Sequence, residues 1–80
     1  MKLNHLLEVG QFYLLNKKYS LAIDKFKQAL RLNPGSALLF FYLGLAYEGG
    51  GHPEEAKEMY RKALLIDPEY EEAKRRLHRL

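Results

Sequence analysis

The sequence predicts an all-α fold, a short tandem array of helix-turn-helix units, on three observations. Laying the second half of the chain over the first at an offset of 34 residues superimposes its landmarks: Gly10 on Gly44, Tyr13 on Tyr47, Ala22 on Ala56, Ala29 on Ala63, Leu30 on Leu64 and Pro34 on Pro68. Apolar classes also match between them, Leu6 with Phe40, Val9 with Leu43, Phe26 with Tyr60 and Leu32 with Ile66. A fixed period of this size marks a unit that buries its apolar face against its neighbour. The second observation is spacing: apolar residues recur three and four apart, the helical period, rather than alternating as in strands. The third is punctuation, because Pro34-Gly35, Gly49-Gly50-Gly51 and Asp67-Pro68 break the pattern where helices would end.

Five helices follow in order. The first covers about residues 3–16, where Leu3, Leu6, Leu7, Gly10, Tyr13 and Leu14 share helical spacing. Asn16-Lys17-Lys18 interrupts it, and a second helix runs over about 20–33 with Ser20 as its candidate N-cap. Proline cannot continue the hydrogen-bond ladder and biases Asn33 away from helical angles, so Pro34 ends that helix. The third, about 37–48, is apolar on nearly every side (Leu38-Leu39-Phe40-Phe41-Tyr42-Leu43) and must be covered on more than one face. Pro53 in a first turn, followed by Glu54 and Glu55 at the positive helix end, opens the fourth, which Asp67-Pro68 closes. The fifth, about 69–80, sets Tyr70, Ala73, Leu77 and Leu80 on one side and Glu72, Arg75, Arg76 and Arg79 on the other. The small residues have packing roles: Gly10 and Gly44 are expected opposite Ala22 and Ala56 within each hairpin, and Ala29 and Ala63 between hairpins.

The strings L-x-x-V-G-x-x-Y, A-x-x-x-F-x-x-A and P over residues 6–34, repeated as F-x-x-L-G-x-x-Y, A-x-x-x-Y-x-x-A and P over 40–68, resemble the tetratricopeptide (TPR) family. The resemblance spans nearly the whole chain and implies a right-handed superhelical array over residues 1–80. Repeat 1 would occupy 3–36, repeat 2 37–70, and a C-terminal capping helix 69–80. Lys74 and His78 stand where the first two units have an apolar residue and a glycine, a departure that favours a cap over a third repeat. The resemblance further implies that the first helix of each hairpin lines a concave wall that binds peptides. The inward positions would be Leu7, Gln11, Leu14 and Leu15 from the first helix and Leu38, Phe41, Tyr42 and Leu45 from the third. Some members hold acidic C-termini in a clamp of Lys, Asn and Arg. The matching seats here are Leu7, Gln11, Tyr42, Glu72 and Arg76, of which Arg76 alone suits a carboxylate, so clamp-type recognition is not expected.

Chemistry-bearing constellations are sparse. With 80 residues and no cysteine, the chain is one small domain with neither disulfides nor thiolate metal ligands. His5, His52 and His78 sit on different elements without a second ligand at metal-binding spacing, and read as surface residues. Ser20 and Ser36 lie at helix boundaries, and Glu54 and Glu55 are first-turn acids. Gly49-Gly50-Gly51-His52-Pro53 lacks the Lys-Ser/Thr and the preceding strand of a phosphate loop. No catalytic residues, cofactor or metal are therefore expected. No apolar run is long enough to span a bilayer, and polar residues interrupt the N-terminal apolar stretch, so the expected location is the cytoplasm.

These readings point to a non-catalytic protein-interaction module with an apolar concave face. It would take an apolar peptide or amphipathic helix, with Phe41 and Tyr42 as anchors, or a second copy of itself as a homodimer. In a competing arrangement the last helix covers Phe41 and Tyr42, since Tyr70 and Leu77 can reach them. The alternative function is a nucleic-acid-associated adaptor using Lys17, Lys18, Lys25, Lys27, Arg31, Lys74, Arg75, Arg76 and Arg79. A net charge of +3 diluted by Glu54, Glu55 and Glu58 argues against it.

Overall fold

The structure is a computed structural model that describes residues 2–80. Among the described residues all regular structure is helical: α1 (Leu3–Leu15), α2 (Tyr19–Leu32), α3 (Ala37–Gly49), α4 (Pro53–Ile66) and α5 (Glu71–Arg79). Each helix packs on the next, and α1 also touches α3, so the chain winds as two hairpins followed by a single helix.

Local chemistry explains the boundaries. At the start of α3 the Ser36 hydroxyl accepts the Leu39 N–H at 3.1 Å, the N-cap bond that satisfies one of the free donors of a helix end. Pro53 occupies the first turn of α4, with Glu54 and Glu55 beside the positive end of the helix. Ser20 is not a cap: α2 begins one residue earlier, at Tyr19, and Lys18 stands in the N-cap position without a side-chain bond. The reason lies in the turn that precedes it. Lys18 N–H donates to the Tyr13 carbonyl at 2.8 Å and Lys17 N–H to the Leu14 carbonyl at 3.1 Å, a Schellman closure that commits the chain to start the next helix at once.

The second hairpin closes in the same way, His52 N–H to the Tyr47 carbonyl and Gly51 N–H to the Glu48 carbonyl. The left-handed residue of that closure is Gly51, at φ 82°, whereas the first hairpin forces Lys17 to φ 59°. A side chain there costs about 1 kcal/mol that glycine avoids.

The core forms as two linked layers. Leu6, Ala22, Phe26, Ala29, Leu39, Leu43, Ala46 and Met59 fill the first, between hairpin one and α3. Phe41, Ala56, Tyr60, Ala63 and Ala73 fill the second, between hairpin two and α5. Ala22, Ala29, Ala56 and Ala63 are fully buried, as their repeat positions require. The nearest neighbours of Gly10 and Gly44 are aromatic rings. A Cβ added at Gly10 would lie 2.5 Å from the Phe26 ring, and one at Gly44 would lie 2.5 Å from the Tyr60 ring. Each glycine is thus a seat for an aromatic ring from the second helix of its own hairpin. Among the described residues no buried side-chain nitrogen or oxygen lacks a hydrogen-bond partner.

Candidate protein-binding groove

The first helices of the successive units, α1, α3 and α5, share one side of the molecule, and a groove crosses them. Its larger basin, about 460 Å³, is lined by Gln11, Leu14, Leu15, Lys17, Tyr19 and Tyr42. A second basin of about 290 Å³ is lined by Leu14, Tyr19, Leu45, Glu48, Gly49 and Arg76. Leu14 and Tyr19 line both, so the two basins adjoin. Leu15 is 83% exposed at its edge.

Five of the expected wall residues, Gln11, Leu14, Leu15, Tyr42 and Leu45, meet in this groove. Leu7 and Leu38 line a separate, smaller recess beside Ser36 and Leu39. Phe41 is different. It is 8% exposed, with its ring centroid 5.1 Å from that of Tyr70 and 5.8 Å from that of Tyr60. It belongs to the second core layer and is not available as an anchor on the surface. Tyr42 has mixed standing: one face of its ring stacks on Phe26 at 5.6 Å between centroids, while another part lines the larger basin.

Lys17, Tyr19, Glu48 and Gly49 complete the groove without having been predicted there, and Arg76, one of the seats matched to the clamp positions, joins them. The repeat offset carries the clue for Gly49, whose counterpart in the first unit is the exposed Leu15. A Cβ on Gly49 would overlap the Tyr19 ring, so the glycine lets that ring lie flat against the end of α3. Glu48 corresponds in the same way to Leu14.

Glu48 organises the polar end. Its Oε1 accepts the Tyr60 hydroxyl at 2.7 Å. Its Oε2 lies 3.6 Å from Arg76 Nη1 and 3.8 Å from Arg79 Nη2. Burial, reinforced by this bond to the Glu48 carboxylate, pushes the Tyr60 phenol well above the usual tyrosine range. Burial likewise raises Tyr70, with the neighbouring Tyr42 adding to the shift. The folded state therefore holds the Tyr60 proton to higher pH than the unfolded chain, whose tyrosines titrate near ~10. The associated stabilisation is complete below that value and is lost as pH rises above it. Tyr60→Phe is expected to lower stability by about 1–2 kcal/mol at pH 8. It should also flatten the decline in stability toward urea that is expected of the parent chain between pH 8 and pH 11. An equally steep decline in the variant would contradict this assignment.

The other α5 cations are also engaged: Lys74 lies 3.2 Å from Glu71, and Arg75 pairs with Glu72. The basic patch anticipated on α5 is thus interleaved with carboxylates, which weakens the nucleic-acid reading. Among the described residues, no three His, Cys, Asp or Glu side chains are grouped to hold a metal.

A tetratricopeptide repeat profile matches residues 37–70, and a TPR repeat profile matches residues 10–51, more than half of the chain. The chain belongs to the tetratricopeptide repeat family. The crystal structure of the Sgt2 TPR domain from Aspergillus fumigatus superimposes with a TM-score of 0.90 at 33% identity, covering 94% of this chain and 50% of that one. Among curated TPR relatives, the peroxisomal targeting signal receptor of Kluyveromyces lactis is 32% identical over 68 residues, 85% of this chain and 12% of the receptor. The heat-shock protein cognate co-chaperone sgt12 of Aspergillus fumigatus is 35% identical over 68 residues, 85% of this chain and 20% of that protein. The chain spans a fifth or less of the length of these two relatives. As a TPR chain it is a protein-interaction module, the coarse function that its family and these relatives support.

Proposed function

We propose that this TPR chain is a non-catalytic module that takes an apolar peptide or amphipathic helix of a partner protein into the groove across α1, α3 and α5. The observation that carries this reading is the pair of adjoining basins that share Leu14 and Tyr19, with Leu15, Tyr42 and Leu45 adding apolar lining. A helix laid in such a groove presents side chains three and four apart, matching the spacing of the lining residues on α1 and α3. Residues 3–36 and 37–70 act as the two repeats, and α5 within 69–80 as the end cap that covers Phe41 and α4. Two relatives are named as a receptor and a co-chaperone, roles exercised through other proteins. The proposed setting is the cytoplasm; among the described residues no helix is long and apolar enough to cross a membrane.

A second copy of the chain is the competing occupant, favoured by Phe12, 62% exposed and one turn from Leu15 on α1. A dimer would have to bury about 800 Å² per partner. Light scattering across a hundredfold concentration range separates the two, because only self-association gives a mass that rises with concentration.

The groove itself is tested with a fluorescein-labelled, 16-residue amphipathic helix whose apolar face is Leu and Phe and whose other positions are Gln. Leu15→Glu is expected to weaken its binding at least tenfold while leaving the helical spectrum and melting temperature of the free domain nearly unchanged, since Leu15 is exposed. Unchanged binding would remove the groove from consideration.

A further inference from the structure

We propose that Glu48 sets the selectivity of this groove: its carboxylate occupies the anion seat formed by Tyr60, Arg76 and Arg79, so that the groove accepts an apolar segment uncharged where it crosses Arg76 and turns acidic segments away. The apolar part of this inference rests on the proposed function; the occupied anion seat stands on the ion-pair geometry alone.

Three observations support it. Glu48 lies in the last turn of α3, where the helix dipole is negative and a carboxylate is out of place. It is compensated from another helix, by two α5 guanidiniums that lie within 4 Å of one oxygen while a phenol donates to the other. One oxygen therefore accepts a hydrogen bond and the other sits within ion-pair range of both guanidiniums, which face a carboxylate that the chain supplies itself. Finally, the corresponding position of the first unit is Leu14, an apolar wall residue, and the α3 counterparts of Arg76 and Arg79 are Tyr42 and Leu45. Acid and cations thus appear together at the second interface and are absent together from the first.

The consequence follows from charge. An incoming carboxylate would have to displace Glu48 from Arg76 or share the seat with it, and two carboxylates at such range repel. An apolar segment makes neither demand. It can cover Leu14, Leu45 and the Tyr19 ring and leave the Glu48 network satisfied, so no unpaired charge is buried.

The test uses acetylated, amidated hexaglutamate as the anionic probe, followed by amide and arginine side-chain NMR shifts of the ¹⁵N-labelled chain in 20 mM salt. The parent chain is expected to show no saturable shift at α3 and α5. Glu48→Gln, which keeps an acceptor for Tyr60, should bind the peptide at least tenfold more tightly, and adding Arg76→Gln should cancel the gain. Glu48→Leu, which installs the residue type of the first unit, serves as the second variant should Gln perturb the fold. Hexaglutamate binding to the parent within threefold of both Glu48 variants would overturn the proposal. The neutral Gln-containing helix described above is measured on the same samples. If it fails to bind while the hexaglutamate results hold, the anion seat stands and the apolar-groove reading falls; the reverse pattern sinks the role of Glu48 and leaves the groove.

Discussion

Phe41→Glu is expected to abolish most of the cooperative thermal transition of this chain, not merely to block an interaction. The Phe41 ring is packed among Tyr42, Tyr60 and Tyr70 in the second core layer. The substitution removes that ring and places a carboxylate in a layer built of aromatic rings and alanines. Loss of a buried aromatic side chain alone costs about 3–5 kcal/mol. A domain of this size holds a net stability toward the low end of about 5–15 kcal/mol, so most of it would be gone. Circular dichroism melts should show the midpoint falling by more than about 15 °C, at roughly 4–8 °C per kcal/mol for a domain this small. Leu15→Glu, a charge of the same sign at an exposed position of the same groove side, is the control and should leave the midpoint nearly unchanged. A Phe41→Glu melt close to that of the parent would return Phe41 to the surface and put the position of α5 in question.

The contrast between Phe41 and Leu15 shows what could be read before the fold was known. The repeat was legible because its carriers are residues with few substitutes: glycines that seat a ring, alanines at helix crossings, prolines at helix ends. A period of that kind survives even where the intervening side chains differ. The side on which α3 faces the groove was not legible, because a helix with Leu38, Leu39, Phe40, Phe41, Tyr42 and Leu43 in succession has no polar stripe to orient it. Pattern alone therefore sets Phe41 one face too far toward solvent, whereas Tyr70 covers its ring.

The polar end of the groove was hidden for another reason. Glu48, Tyr60, Arg76 and Arg79 come from three helices and meet only through the superhelical path of the chain. No local spacing encodes that meeting. The position of Gly49 was legible in principle: aligning it with Leu15 shows a missing side chain on a wall position, whereas reading Gly49-Gly50-Gly51 as turn alone conceals it. The seating of Phe26 on Gly10 is a related case, since helical spacing places the ring on the correct face but does not show that it fills the glycine seat.

That seat gives the other large effect. Phe26→Ala is expected to cost about 3–5 kcal/mol, because the Phe26 side chain is fully buried and its ring serves two interfaces at once. Within the first hairpin it rests on Gly10, and across to the second it stacks on Tyr42 with the planes 16° apart. Tyr60 occupies the corresponding seat on Gly44, but its hydroxyl continues to Glu48. In a longer array, neighbouring interfaces could hold a weakened unit in place. Among the described residues a single hairpin–hairpin contact exists, so the loss at Phe26 should destabilise all five helices and shift both far-ultraviolet and tyrosine-fluorescence urea transitions together. Separation of the two transitions, with the tyrosines of α3 and α4 remaining native, would mean that the second hairpin and α5 stand without the first. Phe26→Tyr refines the measurement. At the first interface the residue equivalent to Glu48 is Leu14, so the added hydroxyl meets an apolar side chain and is expected to cost about 1–3 kcal/mol for want of a partner. Two rings that differ by one oxygen are thus not interchangeable, because only the second interface carries the carboxylate that the oxygen requires.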